Sequence, residues 1–159
     1  MIDKFEGRWR FLSNFHPCKI EHQGIIYPSV EHFYVAMKCN NEQNLDGRHW
    51  TIGDFREMIS KTANPGLVKK IGQKIQVRKD WDDKRLEFMN WAVSEKFKDN
   101  DLRELLLSTG DMMLIEGNVW KDSYWGVFNG KGENKLGKIL MKIRSEIRGD
   151  KKLGLENFL

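Results

Sequence analysis

Cysteines and long apolar runs are scarce in this sequence. Its 159 residues include only two cysteines, Cys18 and Cys39, and no CxxC pair. This excludes a disulfide framework and favours a reducing compartment. The first residues lack the apolar stretch of a signal peptide, and no segment approaches the ~18 consecutive apolar residues that span a bilayer. We therefore expect a cytoplasmic protein that has no membrane partner.

The residue patterns that hold metals or nucleoside triphosphates are also missing. The four histidines form no spaced ligand cluster, and no HExxH motif occurs. Residues 132–138 match the glycine and lysine spacing of a P-loop, but Ile139 stands where Ser or Thr would reach the metal. The sequence therefore predicts neither a metal site nor a cofactor.

The charge balance gives little evidence about partners. There are 27 Lys and Arg against 23 Asp and Glu, a net charge of +4 with the signs interspersed. So small an excess does not by itself indicate a nucleic-acid-binding surface. With 40% hydrophobic residues, six Trp and nine Phe, the chain has ample apolar volume for a core. Its length favours one domain over residues 1–159.

Short extended segments and longer helices alternate along the sequence, which predicts an α+β fold that is mostly α-helical. We expect residues 8–15 and 18–27 to be extended or looped, with a turn at 22–24, and residues 39–48 to form a surface loop. Strands are predicted at 112–116 and 124–127. Periodicity, capping residues and Pro65 predict helices at 29–38, 54–61, from 64 onwards, 81–98, 101–107 and 134–148.

The helix predicted at 29–38 carries the first candidate site. Glu31 and Lys38 are seven positions apart, so they share one face with their Cα atoms ~10 Å apart and Tyr34 between them. An acid and an amine so placed would flank a small ligand, and a carboxylate suits a general base or a positively charged sugar-like transition state. The same pattern also fits a glutamate that only complements the helix dipole and a lysine solvated in the last turn.

Two later segments are further candidates. In residues 122–126 an aspartate, Asp122, precedes Trp125, and a flat base stacks on such a ring for ~1–3 kcal/mol. Trp125 would equally serve as a core aromatic on a strand. The glycine-rich segment from Gly130 runs into the predicted helix at Asn134, which makes it a candidate anion cradle.

Several blocks, taken in order along the chain, resemble the NADAR (YbiA-like) N-glycosidase family. The first two are residues 11–15 (FLSNF) and 27–34 (YPSVEHFY), followed by Lys38. The later ones are Asp80-Trp81, Arg85, Met89, Lys96-Phe97, Glu116, Asp122-x-x-Trp125-Gly126, Gly132-x-Asn134-x-Leu136-Gly137 and Arg144. The resemblance extends over residues 5–148, nearly the whole chain.

This resemblance implies a compact, largely helical domain that hydrolyses a ribosyl C1–N bond without a redox cofactor. One branch of the family removes ADP-ribose from modified guanine in nucleotides or nucleic acid, and another cleaves early riboflavin intermediates that carry a ribosylamine phosphate. We expect the first activity, with the second as an alternative. The expected partners are an ADP-ribosyl or ribosyl-phosphate substrate and ADP-ribosylated DNA or RNA.

The resemblance also implies roles for individual residues. Glu31 would stabilise the sugar cation or activate water, Lys38 would form a Schiff base with the ring-opened sugar, and Asp122 would position the substrate or exchange a proton. The expected substrate-binding residues are Arg8, Ser13, Asn14, Tyr34, Trp81, Trp125, Gly126, Gly132 and Asn134.

A different class of protein remains open at this point. A module that binds ADP-ribose or nucleic acid without cleaving it would also be mildly basic and rich in Trp. The presence of Glu31, Lys38 and Asp122 together favours an enzyme over such a module, because a pure binder needs no such set.

Overall fold

The computed structural model describes residues 1–149, which fall into two compact units. One unit is continuous and comprises residues 14–96. The other combines residues 1–13 with the chain from residue 97 onwards. The single domain that we expect for residues 1–159 stays a prediction.

Helices dominate both units, and the strands are two or three residues long, so the mostly helical α+β class is confirmed. The helices are α1 Val30–Met37, α2 Ile52–Lys61, α3 Pro65–Gly72, α4 Trp81–Lys96, α5 Asn100–Ser108 and α6 Lys135–Arg148, with a 3₁₀ helix at Gly7–Leu12. The strands are β1 Ile20–His22, β2 Ile25–Tyr27, β3 Gln43–Leu45, β4 Arg48–Trp50, β5 Gly117–Asn118 and β6 Val127–Phe128.

The unit of residues 14–96 is built around α1, which is buried along its whole length. Helices α2, α3 and α4 pack against it, and the β1–β2 hairpin lies beside it. Helix α3 approaches α1 closely at Gly72, where an added Cβ would lie 2.9 Å from a methyl group of Val35. Because α1 is the centre of this unit, its side chains have fixed surroundings on nearly every side.

In the other unit, α6 presents its apolar stripe to the core, and α5 packs against both α6 and the 3₁₀ helix. The parallel pair β5–β6 and a bridge between Ile2 and Leu114 complete this unit. The buried apolar side chains include Leu12, Leu102, Leu106, Leu136, Ile139 and Leu140.

Two segments expected to be loops or extended are regular. Residues 7–12 form a 3₁₀ helix, where we expected extended chain. Within the expected loop at 39–48, β3 begins and pairs with β4 through a turn in which Asp46 and Gly47 both have positive φ. An Asp-Gly pair is a strong hairpin signal, and the polar composition of the segment concealed it.

The two strands expected near the end of the chain are misplaced. Of residues 112–116, only Leu114 forms a bridge, to Ile2, while the Glu116 carbonyl accepts the N–H of Val127. The strand expected at 124–127 begins only at Val127. Residues 124 and 125 cannot join a ladder there, because both of their N–H groups bind the Asp122 carboxylate.

The start of α1 depends on a buried histidine. The Ser29 hydroxyl accepts the His32 backbone N–H and lies 2.6 Å from Nδ1, while Nε2 donates to the Thr62 carbonyl at 2.6 Å. This clamp fixes the first turn of α1 and ties it to the end of α2. The carbonyl can only accept, so Nε2 carries the proton.

Replacing His32 with alanine is expected to lower the free energy of unfolding by roughly 2–4 kcal/mol, since two buried partners lose their bonds. Burial lowers the His32 pKa below its usual value of 6.5. The stability that the neutral ring provides is therefore present above pH 6.5 and is lost as the pH falls through the lowered pKa. Urea unfolding at pH values between 5 and about 8 measures this loss of unfolding free energy and its pH dependence. The exposed His49→Ala serves as the control. Equal losses in both variants would contradict the clamp.

Candidate active site

One face of α1 brings three of the predicted residues together. Glu31, Tyr34 and Lys38 lie at spacings of three and four, so their side chains project to the same side of the helix. The Lys38 amine lies 5.4 Å from the centre of the Tyr34 ring. Lys38 is the C-cap of α1, one residue beyond the helix proper, and its carbonyl accepts the Arg78 N–H at 2.8 Å.

Three charged side chains act electrostatically on the Lys38 amine, and only one of them, Glu31, is predicted as a site residue from the sequence. Burial lowers its pKa, and the nearby cations Lys69 and Arg85 lower it further. The Glu31 carboxylate acts in the opposite direction and raises the Lys38 pKa. The net shift is downwards, so more of this amine is unprotonated at neutral pH than for an ordinary lysine. We call these four residues, Glu31, Lys38, Lys69 and Arg85, the charged cluster.

Glu31 is the acid of this cluster and is buried, with 9% of its surface exposed. It occupies the first turn of α1, where the helix dipole favours a negative charge. Its backbone N–H donates to the Asn14 carbonyl at 3.1 Å. The Asn14 side-chain amide donates to the Met89 sulfur at 3.5 Å, so Asn14 links the start of α1 to α4.

Aromatic rings border the charged cluster. The Tyr34 and Trp81 rings are 4.9 Å apart, and Trp81 in turn stacks on Phe88 at 6.1 Å. The Lys69 amine lies 6.0 Å from the centre of the Phe15 ring. Apolar rings beside a cationic group exclude water and strengthen electrostatic interactions within the cluster.

The arrangement has a definite chemical capacity. A buried carboxylate stabilises positive charge that develops on a sugar carbon, and a weakly basic amine attacks an aldehyde. The two further cations, Lys69 and Arg85, give the cluster an excess of positive charge, which suits a phosphate group. Within residues 14–96, the helices α1, α3 and α4 therefore bring a carboxylate, an amine and two further cations into one another's electrostatic range.

The sequence does not predict Lys69 as a site residue. Arg85 is predicted only as a position that resembles the NADAR family. Both lie on helices, α3 and α4, that also carry lysines at positions 70, 84 and 96. No sequence signal separates these two from the others, since only the packing of α3 and α4 on α1 brings them to Lys38.

Asp122, the third predicted catalytic residue, belongs to the other unit and anchors a loop. One of its carboxylate oxygens accepts the N–H groups of Tyr124 and Trp125, at 3.1 and 2.9 Å. The Asn118 side chain closes the loop by binding the Asp122 backbone on both sides. Trp125 is buried, and its ring contacts Tyr124 edge-on at 4.7 Å. The roles of Asp122 and Trp125 towards substrate stay predictions.

Close backbone packing explains the predicted glycines of this unit. A Cβ on Gly126 would lie 2.2 Å from the Glu116 carbonyl oxygen, and one on Gly132 would lie 2.2 Å from the Gly126 carbonyl oxygen. Asn134 stands at the N-cap of α6 as expected, but its side chain does not cap the helix. It bridges the Glu116 N–H and the Leu114 carbonyl instead.

The remaining predicted residues are at the end of the first segment of this unit. The Arg8 guanidinium lies 4.2 Å from the centre of the Trp9 ring and is exposed. Ser13 is the C-cap of the 3₁₀ helix, and its N–H donates to the Arg10 carbonyl. The predicted residues thus form two groups: Asn14, Glu31, Tyr34, Lys38 and Trp81 in one unit, and Arg8, Ser13, Asp122, Trp125, Gly126, Gly132 and Asn134 in the other.

Neither a membrane-spanning helix nor a metal-binding group of side chains occurs in residues 1–149. No helix in this range is long and apolar enough to cross a membrane. In the same range, no group of three or more His, Cys, Asp and Glu side chains is placed to hold a metal ion.

Known proteins resemble this chain in sequence and in fold. The family model described as the NADAR domain matches residues 3–148. A riboflavin biosynthesis protein of Vibrio vulnificus is 35% identical over 153 residues, which are 94% of this chain but 38% of that protein. An N-glycosidase of Nostoc punctiforme is 38% identical over 141 residues, 86% of this chain and 85% of that protein. The NMR structure of the Escherichia coli protein YbiA matches with a TM-score of 0.74 and 29% identity, covering 94% of this chain and 88% of that one.

Proposed function

The chain belongs to the NADAR domain family, and from that premise we propose that it is an N-glycosidase that hydrolyses the bond between a ribosyl C1 carbon and a base nitrogen. The N-glycosidase relative, of which this chain covers 85%, supports this activity in general. The observation that carries the proposal is the charged cluster, in which Glu31 in the first turn of the buried helix α1 interacts electrostatically with Lys38 at its C-cap.

The first step of the proposed reaction breaks the C1–N bond, and the bonding electrons leave with the base nitrogen. C1 of the ribose becomes electron-poor, with oxocarbenium character. The Glu31 carboxylate lies in the first turn of α1 and stabilises this positive charge. A water molecule then adds to C1 and its proton passes to the departed base nitrogen, which leaves the sugar with a free hydroxyl group.

Lys38 offers a second route to the same products. Ring opening breaks the bond between C1 and the ring oxygen and leaves C1 as an iminium carbon that still carries the base nitrogen. The unprotonated Lys38 amine adds to C1, its proton passes to the base nitrogen, the base departs, and an imine links the Lys38 nitrogen to C1. Water hydrolyses the imine and regenerates the amine. Burial and the neighbouring cations Lys69 and Arg85 lower the Lys38 pKa, which favours the unprotonated, attacking form of the amine.

Substrates that carry phosphate fit the remaining charges. Lys69 and Arg85 bring two positive charges into the field of Lys38, whereas Glu31 supplies one negative charge. We propose that these two cations bind the phosphate of the ribosyl group. Aromatic rings at Tyr34 and Trp81 supply a surface against which a sugar or a base packs.

We propose ADP-ribose attached to guanine, in a nucleotide or in DNA or RNA, as the first substrate to test. Its pyrophosphate offers two phosphate groups, one for each of the two cations Lys69 and Arg85 in the cluster. Both cysteines are free thiols, which supports the cytoplasm as the proposed location of this activity.

Early riboflavin intermediates that carry a ribosylamine phosphate are the second candidate. The observation in their favour is that the Vibrio relative, 35% identical, is named a riboflavin biosynthesis protein. The charged cluster also suits this smaller substrate, because the reacting C1–N bond and one phosphate are common to both.

Mass spectrometry of the products tests the proposal. The protein is offered ADP-ribosylated guanine DNA and the riboflavin ribosylamine intermediate in parallel. Release of free ADP-ribose assigns the first substrate, and cleavage of only the riboflavin intermediate assigns the second. If folded protein binds ADP-ribose and cleaves neither, the protein is a binding module and the proposed N-glycosidase activity is wrong.

A further inference from the structure

A polar depression beside the charged cluster has no role in the reaction described above. It lies in the unit of residues 14–96, has a volume of about 310 Å³, and is lined by Asn40, Asn41, Lys79 and Asp80. Its volume is at the lower end of the range for sites that bind small molecules, ~300–1,000 Å³. The first of these residues, Asn40, follows Lys38 by two positions, so their Cα atoms are at most ~7 Å apart.

The walls of this depression are held in place by buried hydrogen bonds. The Gln43 side chain, 3% exposed, donates to the Gln76 carbonyl at 2.9 Å and accepts the Gln76 N–H at 2.8 Å. The Arg78 N–H donates to the Lys38 carbonyl at 2.8 Å. These bonds join the segment that follows α1 to the segment that precedes α4, so the two walls are positioned before any ligand arrives.

The side chains that line the depression have unused hydrogen-bonding capacity. Asp80 receives two hydrogen bonds from the Arg78 guanidinium, Nε to Oδ1 at 2.6 Å and Nη2 to Oδ2 at 3.0 Å. A carboxylate has about four lone-pair positions. Arg78 takes two of them and the Asp80 backbone N–H also bonds this carboxylate, so one position is left for a further donor. Within residues 1–149, no hydrogen bond is made to the side-chain amides of Asn40 and Asn41.

A hydroxyl group of a vicinal diol matches the remaining acceptor position of Asp80. The amides of Asn40 and Asn41 both donate and accept, which also suits hydroxyl groups. The Lys79 ammonium adds a positive charge at the same place and favours a ligand that carries phosphate. A ribose with a free vicinal diol and a neighbouring phosphate satisfies all four side chains.

We propose that the depression lined by Asn40, Asn41, Lys79 and Asp80 binds the diol and phosphate of a second ribose, the one at the nucleoside end of a dinucleotide-like substrate. This inference rests on the proposed function, because the same substrate places its reacting ribose at Glu31 and Lys38. A ribosylamine monophosphate has no second ribose and leaves the depression unfilled. The subsite therefore selects ADP-ribosyl substrates over smaller ones.

Binding of a nucleotide fragment tests the subsite without any cleavage. AMP is titrated into the isotope-labelled full chain and followed by NMR, with 2′-deoxy-AMP and adenosine as matched probes. We expect resonance shifts at Asn40, Asn41 and Asp80 with AMP, and at least about tenfold weaker binding for the probe that lacks one hydroxyl and for the probe that lacks the phosphate. Equal binding of AMP and 2′-deoxy-AMP, or shifts confined to other residues, would overturn the diol site.

Variants separate the subsite from the reaction. The double substitution N40A/N41A is expected to weaken AMP binding and to raise KM for an ADP-ribosyl substrate about tenfold, with kcat unchanged. For the riboflavin ribosylamine intermediate neither constant changes. Asn44→Ala serves as the control, because it removes an exposed amide from the same unit at a position that does not line the depression.

The outcomes distinguish the subsite from the proposed function. If cleavage occurs and N40A/N41A behaves like the control on the ADP-ribosyl substrate, the subsite is wrong and the proposed function stands. If AMP binds as expected and nothing is cleaved, the subsite stands and the proposed function is wrong.

Discussion

Replacing Glu31 with glutamine is expected to lower kcat on either proposed substrate by about 10³-fold, within the range that general acid–base groups contribute. Glutamine keeps the size and the hydrogen-bonding shape of the side chain but removes the negative charge. Without that charge, the buried first turn of α1 provides no compensation for the cation that forms at C1. Steady-state kinetics measure the effect, and KM should change little, because the charge acts mainly in the transition state.

The matched control for this variant is Glu21→Gln on the exposed position of β1. It removes the same charge from the same unit and should leave kcat unchanged. Unfolding curves for both variants establish that each is folded. A Glu31→Gln protein that is folded and retains full kcat would place the reaction elsewhere.

Lys38→Arg is expected to abolish the covalent adduct that borohydride traps from the wild-type protein with its substrate. Arginine keeps the positive charge, but its guanidinium does not form an imine with an aldehyde. The imine route also predicts that kcat/KM rises with pH through the lowered pKa of Lys38, because only the unprotonated amine attacks. Peptide mapping of the adduct by mass spectrometry should locate it on Lys38.

Lys69→Arg provides the control, because it changes a neighbouring lysine of the same cluster and keeps its charge. Its adduct should persist at the wild-type level. An adduct that maps to Lys69 would assign the nucleophile to α3. Cleavage by the wild-type protein with no trapped adduct would exclude the imine route and leave attack by water, assisted by Glu31.

The part of the fold that local sequence patterns determine was predicted well. Ser29 before an apolar stripe and Asn64-Pro65 before another are strong helix starts, and both helices begin where expected. The incorrect predictions concern segments whose secondary structure depends on tertiary contacts. The segment 112–116 is apolar enough for a strand, but its single bridge within the described residues joins Leu114 to Ile2.

The candidate site was predictable only along α1. The spacing of Glu31, Tyr34 and Lys38 follows from helix geometry, which needs no knowledge of the rest of the chain. Lys69 required knowledge of how α3 packs on α1, which no sequence pattern supplies. Lys96 shows the same limit: it is fully buried, and burial lowers its pKa to about 8, although a lysine near a helix end is ordinarily expected in solvent.

Product release by the wild-type protein and by Glu31→Gln, followed by mass spectrometry, tests most directly whether the charged cluster hydrolyses a ribosyl C1–N bond. We expect the wild-type protein to release the sugar from the base of at least one of the two substrates. The folded Glu31→Gln variant should release about 10³-fold less in the same time. Equal release by both proteins, or no release from either substrate by the wild-type protein, would contradict the proposed role of the charged cluster.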